Sequence, residues 1–124
     1  MKKSLLFVLP LLLFFASCRK DINGPGPGPV IDESQWLNRE RGVVVASDIN
    51  CPYYVVEGYG GYALLKSWDG TVPFEGSVMY GDFSSWGVKT FYNRSERYLA
   101  RADVKEYWLS YYDALDEMDY QCNY

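Results

Sequence analysis

Beyond residue 36 the chain sets short apolar runs between polar and glycine-rich breaks, and the runs are of strand length. β-Branched and aromatic side chains gather in Arg41 to Ser47 around Val43-Val44-Val45, and in Tyr53 to Glu57 around Tyr53-Tyr54-Val55-Val56. They gather again in Gly61 to Trp68, after the turn Gly58-Tyr59-Gly60-Gly61. Asp69-Gly70 reads as a hairpin signal. Ser77 to Phe83 and Val88 to Tyr92 form the next expected pair, joined by Ser84-Ser85-Trp86-Gly87. Asn93-Arg94-Ser95-Glu96 then turns the chain into a strand near Arg97 to Asp103. Short strands at this spacing predict a closed or nearly closed antiparallel sheet.

The C-terminal segment carries two patterns. Val104, Tyr107, Trp108, Tyr111, Leu115 and Met118 recur at helical spacing, and Asp103 with Glu106 forms one capping box. Yet Tyr107 to Tyr112 is also strand-prone, and Ser110 with Asp113 forms a second box. The first expectation is a strand to about Leu109 and a helix from about Tyr111 to Tyr120; a helix starting at Asp103 is the alternative. Either way the aromatic stripe, Trp108 included, is assigned to the core. The order of strands and closing helix is similar to a small OB-like β-barrel. That resemblance implies a mainly β (α+β) fold of about five to six antiparallel strands with a C-terminal helix, and no function.

The first residues carry an address. Lys2 and Lys3 precede an apolar stretch from Leu5 to Phe15, broken only by Pro10, and Ala16-Ser17 supply a small-residue exit. About a dozen apolar residues are too few for a bilayer, which needs roughly 20. The segment resembles a bacterial lipoprotein signal whose lipobox ends at Cys18, with Phe15 where leucine is usual. That resemblance implies a leader over 1–17, removed in the mature chain, and lipid attachment at Cys18. Arg19, in place of an aspartate, implies a Gram-negative outer membrane, with either leaflet open. More than one acyl chain makes such an anchor effectively permanent. Gly24-Pro25-Gly26-Pro27-Gly28-Pro29 then offers nothing to bury, so 18–35 is read as lipidated cysteine plus tether and 36–124 as one small domain.

Charge narrows the partners. The twelve Lys and Arg, less Lys2 and Lys3, stand against sixteen acidic residues, a net charge near −6 for the mature chain. The cations are interleaved with acids, which argues against nucleic acid. With Cys18 acylated, Cys51 and Cys122 remain as the pair for a disulfide in an oxidising envelope.

No cofactor, metal or catalytic set is expected. The chain has no histidine, no phosphate loop and no Gly-Xaa-Ser-Xaa-Gly. Asp48, Asp69 and Asp82 are the carboxylates weighed for glycoside hydrolysis. Asp113, Asp116, Glu117 and Asp119 cluster without the spacing of a calcium loop and read as a solvated face. Tyr59, Tyr62, Trp68, Phe83 and Trp86 sit in or beside turns, where an exposed ring can stack on a sugar or a partner side chain. The leading expectation is a non-enzymatic envelope lipoprotein that binds a protein or glycan partner or has a structural role. A small hydrolase, or an inhibitor of one, is the alternative.

Overall fold

A computed structural model of the chain describes residues 31–123. The leader, Cys18 and the Gly/Pro run lie outside the described residues. Six strands form: β1 (Glu40–Asp48), β2 (Cys51–Glu57), β3 (Tyr62–Ser67), β4 (Val78–Gly81), β5 (Gly87–Asn93) and β6 (Tyr98–Leu109). They are followed by helix α1 (Tyr111–Asn123). The strands close into a barrel in the order β1-β2-β3-β6-β5-β4, every neighbour antiparallel. Two three-stranded meanders are thus joined edge to edge, by β1 on β4 and by β3 on β6. This is the expected small antiparallel barrel with a C-terminal helix.

The barrel interior takes alternate residues of each strand. Val44, Tyr54, Val56, Ala63, Leu65, Met79, Phe91, Ala100, Ala102 and Val104 fill it, together with Phe83 from the β4–β5 loop. Space is tight where the aromatics meet. Phe83 and Phe91 stack with ring centroids 4.8 Å apart. A Cβ on Gly42 would lie 2.4 Å from Val56 Cγ1, and one on Gly81 2.3 Å from Phe91 Cδ1. These two glycines make room for the ring pair.

Several strands are apolar on consecutive residues, because their outer faces are covered too. Helix α1 lies over β2 and β3, where Val55, Leu64 and Ala114 are buried together against Leu115 and Met118. Across the barrel, the segment 31–39 forms a strap over β4 and β5. Its buried Trp36 packs on Tyr80 and Tyr92, with Ile31 and Val78 at the edge. Ile31 is the first residue of the compact unit that contains the barrel. The strap carries a 3-10 turn, Glu33–Gln35, capped by Asp32, whose carboxylate accepts from the Ser34 N–H at 3.0 Å.

The C-terminal ambiguity resolves into strand, then helix. Ser110 caps α1: its Oγ accepts from Asp113 N at 3.1 Å and its carbonyl from Ala114 N. Cys51 and Cys122 are bonded, Cα to Cα 5.6 Å, so the far end of α1 is tied to the first residue of β2. The hairpin expected at Asp69-Gly70 does not form between adjacent strands, since β3 pairs with β2 and β6. Asp69 organises a long loop instead, accepting from Thr71 N and Oγ1 and from Arg101 N across the barrel mouth.

Candidate functional site

The strand directions sort the loops onto two poles. One pole carries the β1–β2 turn, the long β3–β4 loop and the β5–β6 turn. The other carries the β2–β3 turn, the β4–β5 loop and the junction of β6 with α1. Exposed aromatic rings gather on the second, hereafter the aromatic pole.

A disturbance in β6 makes this possible. Tyr62 pairs with Leu109 but Leu64 with Glu106, so β6 fits one residue more than β3 over the same stretch. Such a bulge re-aims side chains. Trp108 sits in it with φ 60°, a left-handed conformation that is rare for a bulky residue. Strain of this kind persists where the surroundings enforce it, and it concentrates at binding and catalytic sites. The indole is carried out of the barrel, 66% exposed. This corrects the assignment of Trp108 to the core: a helical stripe assumes a period that the bulged strand does not follow.

Trp108 is one of three rings in a row. Trp86, 67% exposed on the β4–β5 loop, meets Tyr107 at 5.3 Å, and Tyr107 meets Trp108 edge-on at 5.4 Å. The β2–β3 turn supports the far end. A Cβ on Gly60 would lie 2.8 Å from Trp108 Nε1, and one on Gly61, at φ 136°, would lie 3.2 Å from Trp108 Cα. Tyr59, on the same turn, is exposed.

Glu40, the first residue of β1, braces the two loops. Its Oε2 accepts from Tyr59 N at 2.9 Å and its Oε1 from Ser84 Oγ at 3.1 Å. A polar rim borders Trp86. Asp82 accepts from Ser84 N at 3.0 Å and from Ser85 Oγ at 2.6 Å, with Lys89 Nζ 3.8 Å away. Lys89 also donates to the Ser85 carbonyl and hydroxyl. The Ser85 hydroxyl lowers the Asp82 pKa against an opposing effect of burial, with Ser84 N–H and Lys89 assisting. Asp82 is therefore held ionised.

Of the five turn aromatics expected from sequence, Tyr59 and Trp86 share this pole. Tyr62 lies at its margin, half-buried against Tyr111 at 5.3 Å, and Tyr111 meets Tyr112 at the same spacing. Trp68 is exposed on the opposite pole. Phe83 is a correction: it is 1% exposed and belongs to the core, because the loop tucks it over Gly42. Trp108 and Glu40 were missed. The Trp-before-Leu at the end of a long strand carries no sign of a bulge, and a lone glutamate before a valine run looks like any solvated charge.

The remaining carboxylates are dispersed. Asp48 and Asp69 lie towards the pole opposite Asp82. Among the described residues, no three Cys, Asp or Glu are grouped so as to hold a metal ion. No helix there is long and apolar enough to cross a membrane. No protein-family model, curated protein or solved structure matches the chain.

Proposed function

We propose that this protein is an envelope lipoprotein, acylated at Cys18 and spaced from the outer membrane by its Gly/Pro tether, whose barrel binds a saccharide at the aromatic pole without transforming it. The observation that carries the reading is the row Trp86-Tyr107-Trp108, with Trp108 held outside the barrel by a strained bulge. An apolar side chain kept in water against backbone strain is not explained by folding alone. Rings on an open surface, bordered by the Asp82, Ser85 and Lys89 polar groups, suit a pyranose: its C–H face stacks on an indole while its hydroxyls reach donors and acceptors alongside. A protein partner would favour a pocket in which an anchor is fully desolvated.

The hydrolase reading has one point in its favour, since Glu40 and Asp82 both bind Ser84. A glycosidase pairs a carboxyl of raised pKa, acting as acid, with an ionised partner; Asp82, shifted downward, suits only the second role. The strap brings the chain in at Glu33, beside the β5–β6 turn, so the aromatic pole is the end remote from chain entry.

Co-sedimentation of the full-length protein with insoluble peptidoglycan and with neutral polysaccharides tests the binding. Retention on at least one polymer is expected, and its loss in Trp86→Ala and Trp108→Ala. Equal retention by the double variant, or capture of a protein on the same rings with no saccharide bound, overturns the saccharide reading. Labelled palmitate should enter the wild type and not Cys18→Ser; an unlabelled wild type would remove the lipoprotein assignment.

A further inference from the structure

A second feature lies on the barrel wall, beside the strap and away from the aromatic row. A cleft of about 270 Å³ is lined by Arg41, Val78, Tyr80, Arg94, Ser95 and Arg97. We propose that it binds the phosphate group of a ligand, and that Glu33 is a built-in competitor for it.

Charge is the first argument. The described residues carry eight Lys and Arg against fifteen Asp and Glu. Three of those eight cations nevertheless line this one cleft. Glu33 supplies a single carboxylate: its Oε1 lies 3.3 Å from Arg94 Nε and its Oε2 3.9 Å from Arg97. Tyr92 OH donates to the same Oε2 at 2.9 Å. Arg41 is exposed and has no carboxylate partner among the described residues. One acid against three guanidinium groups leaves the cleft with a net positive charge, and the excess is larger once that acid is displaced, which favours a doubly charged anion over a single carboxylate.

Geometry is the second. Guanidinium groups present forked donors suited to phosphate oxygens. Ser95 Oγ accepts from Val78 N at 2.8 Å, which leaves its hydroxyl hydrogen free to donate into the cleft. Arg97 is held in the turn with φ 63°, and its N–H donates to the Asn93 carbonyl at 2.7 Å. It is the second non-glycine residue of the described chain in that strained region. Val78 and Tyr80 give the cleft an apolar wall for the atoms that carry the phosphate. The volume suits a phosphate with a few attached atoms, given that a water molecule takes about 30 Å³ of liquid.

Glu33 belongs to the strap, not to the barrel. An anion that takes Arg94 and Arg97 must therefore displace the strap's carboxylate, while Trp36 keeps the strap in place on Tyr92. The signature of that competition is specific: removing the acid strengthens ligand binding. A purely structural ion pair predicts no such gain.

The phosphate can come from a soluble monoester or from a lipid headgroup, and the experiment separates the two. The full-length chain carrying Cys18→Ser is used, so that acylation does not itself bring it to vesicles. Inorganic phosphate and glycerol 3-phosphate are titrated while the arginine Nε–H resonances are followed by NMR. In parallel, flotation is measured with phosphatidylcholine vesicles with and without phosphatidic acid. Saturable shifts at Arg41, Arg94 and Arg97 are expected, about tenfold tighter in Glu33→Gln and about tenfold weaker in Arg41→Gln, as one charge-assisted hydrogen bond commands. Arg41→Gln removes no ion pair, so its fold is retained and the test stands even if Glu33→Gln unfolds. Response to the soluble anions assigns a soluble ligand; response to phosphatidic acid vesicles alone assigns a headgroup. Shifts spread evenly over all arginines, no response in either arm, or equal affinity in wild type and Arg41→Gln would each overturn the proposal.

Discussion

Gly42 shows how far one absent side chain shapes the barrel. Its Cβ would collide with Val56 and with the Phe83 ring, and neither can yield inside a narrow closed sheet. Gly42→Ala is therefore expected to destabilise by about 1–3 kcal/mol, the usual cost of overpacking, measured by denaturant unfolding. The two exposed tryptophans should behave differently. Trp108→Ala and Trp86→Ala should each change stability by less than about 1 kcal/mol, since little of either ring is buried, yet each should cost about 1–3 kcal/mol of saccharide affinity. Trp108→Gly separates strain from contact. Glycine adopts φ 60° freely, so this variant should melt no lower than the alanine one while binding equally poorly. A loss of several kcal/mol on removing Trp108 would return it to the core. The opposite fates of Phe83 and Trp108 were not readable from their neighbours. Both follow from how loops and bulges seat on a closed barrel, a geometry absent from local pattern.

At the scale of elements, the helix is the clearest case of a part held by its ends. Ser110 starts it, and Cys51–Cys122 fastens its finish, while only Ala114 of its own residues is fully buried. The bond closes a loop of sequence separation 71. The chain-entropy account gives about 4 kcal/mol for a loop of this length. Cys51→Ser should therefore lower the melting temperature markedly and raise amide exchange in α1 before it does so in β5; uniform exchange would show that the helix does not open separately. The Ser110 cap, the strand runs and the cysteine pair were legible beforehand because each is a local or countable signal, whereas the other expected box, Asp103 with Glu106, lies within β6. Asp69-Gly70 misled for a physical reason: turn chemistry fixes a turn, not which strand follows beside it. Here the aspartate cross-links the β3–β4 loop to β6 through Arg101 N.

For the whole molecule, the acids set the response to pH. Burial raises the Asp69 pKa, but hydrogen bonds from Arg101 N–H and Thr71 outweigh it, so the net shift is downward. Asp82 and Asp32 are lowered as well, foremost by the Ser85 and Ser34 hydroxyls. A carboxyl with a depressed folded pKa stabilises the fold above its ordinary value, near 3.9, and loses that contribution as pH falls through the folded value. Melting temperature should thus stay level between about pH 5 and 8, where a chain without histidine has no side chain of ordinary pKa to titrate, and drop below about pH 4. A transition near pH 6 would contradict this. By itself the sequence determined what is local: strand-length apolar runs, turn glycines, the Ser110 cap, and the pairing left to Cys51 and Cys122. Only the tertiary structure decided which strands adjoin and that Tyr54-Val55-Val56 and Leu64-Leu65 are buried on both faces. It also decided that Trp86, Tyr107 and Trp108 meet. The reason is that periodicity describes one chain segment against an unspecified surface, whereas barrel closure, the covering strap and helix, and a one-residue bulge are relations between segments far apart in the chain.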